Sequence, residues 1–338
     1  MTVQLRASVV IPTYQRRESV RRALEAFALQ TLPPDQFEVI VSVDGSDDGT
    51  REMVEALKTP YRLVGLWQAN RGRAAACNAG LRASEGELVV LLDDDMEPAP
   101  GFLAAHLAAQ AGGARLGIVG AAPIPVEPTS PPVVDYIGSK FNRHLETLSQ
   151  PGHQFRLRDF YSGNFSIARG TLLEIGGLDE SFTEYGNEDL ELSHRLTEAG
   201  VRLIFSREAQ ARQHYTKDFP ALARDNVAKG RTAVLLASKH AETRSHLKLG
   251  GGYDELSPRW RVVRAVLLAS TMIWPRTTDL AVRFMGWLER RRPPRMHSYY
   301  YYALDYFYWV GVRDALRENR RAGRGLTSLT RPAERPDS

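Results

Sequence analysis

The chain has little cysteine and no long apolar run. Cys77 is the single cysteine among 338 residues, so an intrachain disulfide is excluded and a zinc site built on several thiolates is not expected. No apolar run reaches the roughly 18 residues that a membrane-spanning helix needs. The first six residues lack the basic and apolar segments of a secretory signal. We therefore expect a cytoplasmic location.

The chain also has little excess charge of either sign. Its formal net charge is +4, with 43% hydrophobic and 25% charged residues, which is ordinary for a globular protein. The length allows one large α/β domain with appendages, or two modest domains. Arginine is concentrated between Arg259 and Arg335. A basic segment of this kind could face anionic lipid, nucleic acid or an acidic partner.

Short apolar runs alternate with amphipathic segments over the first 120 residues. Runs rich in Val, Ile and Leu predict buried strands at 7–11, 37–43, 61–67, 88–92 and 118–121. Helical spacing of apolar residues predicts helices near 20–28 and 53–57, and later at 188–199 and 218–240. Such alternation predicts a doubly wound, mostly parallel α/β sheet. Five prolines between 123 and 132 predict a loop instead.

Three consecutive acids, Asp93, Asp94 and Asp95, follow the predicted strand at 88–92. Adjacent carboxylates repel one another unless a cation compensates them, and hard divalent ions prefer oxygen ligands. Ligands of α/β sheets bind at the carboxyl ends of the strands. The segment therefore indicates a metal that holds a phosphorylated substrate, with a solvated acidic turn as the alternative.

Two further acidic segments are candidates for the same site. Asp44 follows the second predicted strand, where a nucleotide lying across the strand ends would meet it. Glu188 and Asp189 stand at a predicted helix start after a glycine-rich loop, and His214 follows a strand-like segment. A general base for an alcohol must be a carboxylate or a histidine. The alternative for the acid pair is capping of the helix and compensation of its dipole.

Taken together, the motifs of residues 5–215 resemble those of family-2 glycosyltransferases, which have the GT-A fold. The matching segments are 10–16 (VIPTYQR), 44–50 (DGSDDGT), 70–72 (NRG), 78–80 (NAG), 92–95 (LDDD), 162–165 (SGNF), 176–179 (GGLD) and 186–192 (GNEDLEL). Each segment alone is a weak signal. Their shared order along the chain carries the resemblance.

The resemblance implies a nucleotide-sugar donor, a divalent metal (Mn²⁺ or Mg²⁺) and inverting transfer to a hydroxyl acceptor, which could be a glycan, a lipid-linked compound or a small molecule. It implies that Asp189 is the catalytic base, with Glu188 beside it positioning the acceptor, and that Asp95 and His214 bind the metal. The implied nucleotide-sugar contacts are Pro12, Thr13, Tyr14, Arg16, Asp44, Arg71, Arg73, Asn78, Asp93, Asp94, Gly163 and Asn164.

One residue departs from the family pattern. Val43 stands where relatives commonly have the first of two acids, so Asp44 alone would serve the base or ribose, and the identity of the base stays open. Two other functions also stay open. A nucleotidyltransferase also places acids at strand ends, although it normally has a glycine-rich phosphate loop, and a non-catalytic scaffold could bind the sugar nucleotide without turnover.

The resemblance and the composition together predict three regions. Residues 1–215 form the GT-A catalytic domain, 216–325 a helical extension, and 326–338 a disordered tail. The extension combines arginines with the aromatic runs 299–302 and 306–309. Such a segment suits a helix lying on a membrane surface, peripheral to its inner face, or ordinary packing against the catalytic domain or within a homo-oligomer. We expect no nucleic-acid partner, because no recognised binding module accompanies the charge.

Overall fold

The computed structural model describes residues 4–113, 115–250, 257–274 and 276–322, so the predicted disordered tail at 326–338 lies outside the described residues. The chain divides into two compact units. The first consists of Met1–Val126, Gly138–Thr183 and Glu188–Tyr215, and the second of Glu127–Ile137, Glu184–Asn187 and Thr216–Ser338. The sequence analysis predicted a domain boundary after residue 215. The chain passes for the last time from the first unit to the second between Tyr215 and Thr216. The two earlier segments of the second unit had no signal in the sequence.

Among the described residues, nine strands lie in the first unit. They are β1 (Ala7–Thr13), β2 (Phe37–Asp44), β3 (Arg62–Gln68), β4 (Leu88–Leu92), β5 (Met96–Pro98), β6 (Leu116–Gly120), β7 (Asn164–Ala168), β8 (Arg202–Ser206) and β9 (Ala211–Gln213). Seven of them form one sheet in the order β3-β2-β1-β4-β7-β6-β8, while β5 and β9 form a separate pair. Within the large sheet only β7 runs antiparallel to its neighbours. The predicted mostly parallel α/β sheet is thereby confirmed.

Helices flank the sheet and make up most of the second unit. They are α1 (Arg17–Phe27), α2 (Thr50–Ala56), α3 (Arg73–Ala83), α4 (Phe102–Gln110), α5 (Pro132–Leu148), α6 (Arg169–Glu174), α7 (Glu188–Glu198), α8 (Phe219–Lys239), α9 (Pro258–Ile273), α10 (Thr277–Arg291) and α11 (Met296–Arg321). Single 3₁₀ turns occur at Pro34–Gln36, Leu157–Asp159 and Lys248–Gly250, and a longer 3₁₀ segment at Ala241–His246. In the described ranges no helix is both long and apolar enough to cross a bilayer.

The strand β1 shows why Val9, Val10 and Ile11 follow one another without a polar alternation. All seven residues of the strand are buried, because helices cover both faces of the sheet at this strand. Val9 and Ile11 belong to the same core cluster as Leu24 of α1, whereas Val10 belongs to the cluster that contains Leu81 of α3. Successive side chains of a strand point to opposite faces. Burial on both faces therefore favours a continuous apolar run, and the buried Ser8 satisfies its hydroxyl with Glu38.

The helix α5 is an element that the sequence analysis missed. The proline-rich stretch was predicted as a loop, and it is one as far as Pro131, but Pro132 begins a helix of 17 residues. Proline is favoured at the first position of a helix, because its fixed φ suits the helix and its missing N–H would have no partner there. The last proline of the cluster is thus a helix start.

The helices α8 and α11 pack closely in the second unit because two glycines allow it. A Cβ atom on Gly230 would lie 1.9 Å from the carbonyl oxygen of Tyr308, and one on Gly311 would lie 1.9 Å from that of Val227. Side chains at these positions would therefore push the two backbones apart. The predicted helical C-terminal region is confirmed over its described residues.

A buried carboxylate ties three parts of the second unit together. Asp305 of α11 is 1% exposed. It accepts hydrogen bonds from Lys248 Nζ and Arg264 Nη1, both at 2.9 Å, and from Trp260 Nε1 at 3.2 Å. Two cations and an indole donor offset the cost of burying this charge.

A buried histidine cross-links α4 to the sheet. His106 Nε2 lies 2.9 Å from Asn164 Oδ1, and its Nδ1 lies 2.8 Å from the hydroxyl of Ser166. The amide nitrogen of Asn164 donates to the carbonyl oxygens of Ala121 and Ala209, so its Oδ1 accepts and the Nε2–H of His106 donates. Burial lowers the pKa of His106 to about 4, although the bond to Asn164 opposes that shift.

His106 should make the protein less stable in acid. Since the unfolded chain takes up this proton below about pH 6.5 and the folded protein only below about pH 4, stability falls as pH drops through that window, by about 3 kcal/mol in total. Urea unfolding at pH 4.5 and pH 7 measures this loss. His106→Gln should lose correspondingly less stability between the two pH values. An equal loss in both proteins would contradict the burial argument.

Candidate functional site

The parallel strands β1, β2 and β4 bring the predicted residues to one edge of the sheet. Because β1 pairs in parallel with both β2 and β4, the three strands end on the same side, as expected for a ligand site of an α/β sheet. Thr13 at the end of β1 donates a hydrogen bond from Oγ1 to Asp94 Oδ2 at 2.7 Å. The ends of β1 and β4 are therefore joined directly by side chains.

Arg73, the first residue of α3, connects the acids after β4 with those of α7. Its Nη2 and Nε lie 2.7 and 3.1 Å from Asp93 Oδ1, and its Nη1 lies 3.7 Å from Asp189 Oδ1. The side chain is 24% exposed. Burial opposes its charge, but Asp93 and the other neighbouring acids raise the pKa of Arg73 well above its ordinary value. A permanent cation thus lies between two acidic segments that are far apart in the sequence.

The segment Ser162-Gly163 supports the same pair of acids from the other side. The carbonyl oxygen of Gly163 accepts a hydrogen bond from the backbone N–H of Asp93 at 2.9 Å. A Cβ on Gly163 would lie 2.3 Å from Asp93 Oδ2, so only glycine fits without a shift of that carboxylate. The hydroxyl of Ser162 donates to Asp189 Oδ1. Sequence reasoning quoted Ser162 only as part of a motif and gave it no role.

The two acids at the start of α7 occupy different environments. Glu188 is 6% exposed, and its Oε2 has no hydrogen-bond partner among the described residues. Burial, reinforced by the charge of Asp189, raises the pKa of Glu188. The side chain of Asp189 is 31% exposed. Of the pair, Asp189 is therefore the one placed to meet a molecule arriving from solvent.

The middle one of the three strand-end acids, Asp94, lies in a desolvated environment. Burial raises the pKa of Asp94 to about 7, the charges of Asp95 and Asp93 add to this, and the hydrogen bond from Thr13 and the charge of Arg16 oppose it. The charges of Asp95 and Asp93 thus act on Asp94 in addition to its burial. A bound cation would offset the repulsion between such adjacent carboxylates.

The two predicted metal ligands lie side by side at the β5–β9 pair. The backbone N–H of His214 donates to the carbonyl oxygen of Asp95 at 2.8 Å, and Gln213 Nε2 lies 3.2 Å from Asp95 Oδ2. The ring nitrogen Nε2 of His214 lies 2.6 Å from Glu97 Oε2. Glu97, which sequence reasoning missed, lies in β5, two residues beyond Asp95. Carboxylates with an imidazole form a donor set that suits a divalent ion such as Mn²⁺.

Asp44 anchors a loop with both of its carboxylate oxygens. Oδ1 accepts from Gln68 Nε2 at 2.7 Å and from the backbone N–H of Arg71 at 2.9 Å, and Oδ2 accepts from that of Gly72 at 2.8 Å. The residue is 4% exposed. The observed contacts therefore hold the turn that leads into α3 and Arg73. A contact of Asp44 with the base or ribose stays a prediction.

Asn78 and Asn164 direct their amides into the fold. Asn78 bonds to the backbone N–H and carbonyl of Leu178, at 2.9 and 2.8 Å, and to Glu180 Oε1 at 3.0 Å. Asn164 bonds to two carbonyl oxygens and to His106. These contacts give both residues a scaffold role, so their predicted donor contacts have no structural support here.

The remaining predicted donor residues lie around the same edge. Pro12 is buried within β1, and Arg16 directly precedes α1. Tyr14 is half exposed. The side chain of Arg71 is 61% exposed and pairs with Glu180 at 2.7 Å.

Two protein-family profiles match parts of the chain. Residues 8–169 match the profile described as "Glycosyl transferase family 2", and residues 143–217 match "N-terminal domain of galactosyltransferase". The segment 8–169 belongs to glycosyltransferase family 2. The resemblance seen in the sequence motifs is confirmed.

Two curated relatives show how far the family likeness extends. Validoxylamine A glucosyltransferase of Streptomyces hygroscopicus subsp. limoneus is 32% identical over 227 residues, which cover 60% of this chain and 50% of the relative. Chondroitin synthase of Escherichia coli is 27% identical over 223 residues, covering 57% of this chain and 32% of the relative. This family-2 chain thus spans about half the length, or less, of these relatives.

Two solved structures share the fold over nearly the whole chain. TarS 1–349 of S. aureus superposes with a TM-score of 0.52 at 16% identity, covering 95% of this chain and 93% of TarS 1–349. The mannosyltransferase PcManGT of Pyrobaculum calidifontis, solved with GDP-Man and Mn²⁺, gives a TM-score of 0.54 at 20% identity, covering 91% and 88%. Together with the observed sheet, they show that this family-2 chain has the GT-A fold.

The Arg73–Asp93 pair should be energetically coupled. In a double-mutant cycle with Arg73→Ala and Asp93→Ala, we expect a coupling of about 1–2 kcal/mol, because the pair is partly buried and charge-assisted. The exposed pair Arg51–Glu55, at 2.8 Å on α2, is the control, with a coupling below about 1 kcal/mol. Urea unfolding of the four proteins in each cycle measures both values. A coupling at Arg73–Asp93 no larger than the control would contradict the assigned contact.

Proposed function

We propose that this family-2 protein transfers a glycosyl group from a nucleoside-diphosphate sugar to a hydroxyl acceptor. The observation that carries the proposal is the connection, through Arg73 and Ser162, of the strand-end acid Asp93 with Asp189 of α7. It joins a segment suited to a metal and a nucleotide with a partly exposed carboxylate suited to proton removal. Relatives named as a glucosyltransferase and a mannosyltransferase with GDP-Man and Mn²⁺ support the same chemistry.

The donor would lie across the carboxyl ends of β1, β2 and β4. Thr13 and the half-exposed Tyr14 would border the base, and Asp93 would face the ribose. Arg71 has an exposed guanidinium that could turn from Glu180 to the diphosphate. Arg73, by contrast, is held by Asp93, so we assign it to positioning the acids. The identity of the base follows from none of these contacts.

Asp95 and His214 would hold a divalent ion, Mn²⁺ or Mg²⁺, with Glu97 orienting the histidine ring. Their juxtaposition at the β5–β9 pair and the three consecutive carboxylates of Asp93, Asp94 and Asp95 fit such an ion. When bound, the ion would offset the charge that develops on the departing diphosphate.

Asp189 would remove the acceptor proton. The acceptor oxygen then forms a bond to the anomeric carbon as the bond to the diphosphate oxygen breaks on the opposite face, so one displacement inverts the configuration. The hydroxyl of Ser162 and the cation of Arg73 hold Asp189 in place, which limits the cost of reaching the reactive geometry. Glu188, buried and with its pKa raised, is suited to a neutral, hydrogen-bonding role beside the acceptor.

The two alternatives are less well supported. A nucleotidyltransferase has no need of the Glu188–Asp189 pair, and the relatives compared above carry glycosyltransferase or polysaccharide-synthase names. A binding scaffold would not need a partly exposed carboxylate held in place by a hydroxyl and a guanidinium.

Asp189→Asn should remove turnover and leave donor binding intact. Loss of a general base lowers the rate by about 100- to 10,000-fold, while the affinity for the donor should change by no more than about threefold, because Asp189 faces the acceptor. Release of nucleoside diphosphate from a panel of sugar nucleotides measures turnover.

Glu198→Gln is the matched control for that variant, because Glu198 is an exposed acid at the far end of the same helix. It should keep the wild-type rate. Undiminished release by Asp189→Asn would remove the proposed base. A wild-type protein that binds sugar nucleotides and never releases diphosphate would favour the scaffold.

A further inference from the structure

Both α9 and α10 of the second unit expose apolar side chains to solvent. On α9 the exposed residues Val262, Val266, Ala269 and Met272 recur at helical spacing, and on α10 Leu280, Phe284 and Trp287 do the same. Phe284 is 54% exposed and stacks on Trp287, with ring centroids 5.9 Å apart. Exposed apolar residues that continue along a helix mark an interaction surface more often than scattered ones do. We call the exposed residues of 257–295 the apolar-basic face.

The same segment is strongly basic. Residues 257–295 contain nine arginines and two acids, which leaves a net charge of +7. Arg264 is buried against Asp305, and the other eight arginines are exposed. One of the two acids, Glu289, accepts a hydrogen bond from Tyr300 at 2.5 Å. Positive charge therefore dominates the apolar-basic face.

Arginine and aromatic side chains are interleaved on α10. The guanidinium of Arg291 lies 5.2 Å from the centroid of the Trp287 ring. Arg283 and Arg290 flank the exposed Phe284 and Trp287 in the sequence. Indole rings and arginines with apolar stems occupy the headgroup region of a bilayer, where the apolar part enters and the charge stays wet.

We propose that the apolar-basic face binds the surface of an anionic phospholipid bilayer. Charge complementarity selects this occupant, because such a surface attracts basic residues and accepts apolar side chains at the same time. A second copy of this chain fits poorly, since a two-fold contact would oppose two equally basic faces. The phosphates of a nucleic acid would compensate the charge of the arginines, but Phe284, Trp287 and the valines of α9 would stay exposed to water. The helices would lie in the interface, because none in the described residues can span a bilayer.

Co-sedimentation of the full chain with vesicles tests the proposal. We expect binding to phosphatidylcholine vesicles that contain about one-third phosphatidylglycerol, and at least tenfold weaker partition into pure phosphatidylcholine. Phe284→Ser/Trp287→Ser should lower the partition coefficient at least tenfold by removing apolar insertion. Arg290→Gln/Arg291→Gln should lower it to a similar extent for the anionic vesicles alone.

Matched controls on the first unit separate this effect from a general loss of charge or apolar surface. Leu29→Ser removes an exposed apolar side chain, and Arg143→Gln/Arg202→Gln removes two exposed charges. Both should bind as the wild type does. Equal binding to neutral and anionic vesicles, or wild-type binding by either test variant, would overturn the proposal. So would a wild-type dimer that Phe284→Ser/Trp287→Ser dissociates, since the face would then join two copies.

Discussion

The position of Arg73 between two acidic segments is the constraint on which the site depends. The carboxylates of Asp93 and Asp189 come from a strand end and a helix start nearly 100 residues apart. They lie 2.7 and 3.7 Å from nitrogen atoms of the same guanidinium, so they would repel each other without it. The guanidinium offsets that repulsion. Other residues of the site position the Arg73 side chain. Asp44 fixes the turn into α3, and Gly163 leaves room for the carboxylate that Arg73 binds.

The residues of the site therefore form an inner layer, which is structural, and an outer layer, which is accessible to solvent. The inner layer consists of Asp44, Asn78 and Asn164, which are buried and bonded to backbone groups, together with Arg73, which binds Asp93. The outer layer consists of Tyr14 and Arg71, which are exposed, and of Asp95, Asp189 and His214, which are partly exposed. Residues of the same short motif fall in different layers, such as Arg71 and Arg73. The exposed groups of the site thus rest on this inner framework, while a contact of Asp44 with the base or ribose stays a prediction.

Much of the sheet could be predicted from the sequence, because burial on both faces forces apolar runs such as that of β1, and because Pro12 and the acids mark the strand ends. The motif order also indicated the family. Other features depend on contacts between distant residues and had no local signal. The antiparallel course of β7, the helix α5 behind a proline cluster, and the 2.6 Å contact of Glu97 with His214 are of this kind. Likewise, the sequence around Asn78 and Asn164 does not indicate whether their side-chain amides face a ligand or the core.

The central claim is that the strand-end acids form a metal-dependent site for a nucleoside diphosphate. Thermal unfolding with the uridine, guanosine, thymidine and adenosine diphosphates, each with Mn²⁺ and with a chelator, tests it most directly when wild type and Asp95→Ala are compared. The account predicts that at least one of these nucleotides raises the wild-type midpoint by several degrees with Mn²⁺, and that chelator or Asp95→Ala removes the effect. No stabilisation by any nucleotide, or stabilisation that survives both changes, would contradict it.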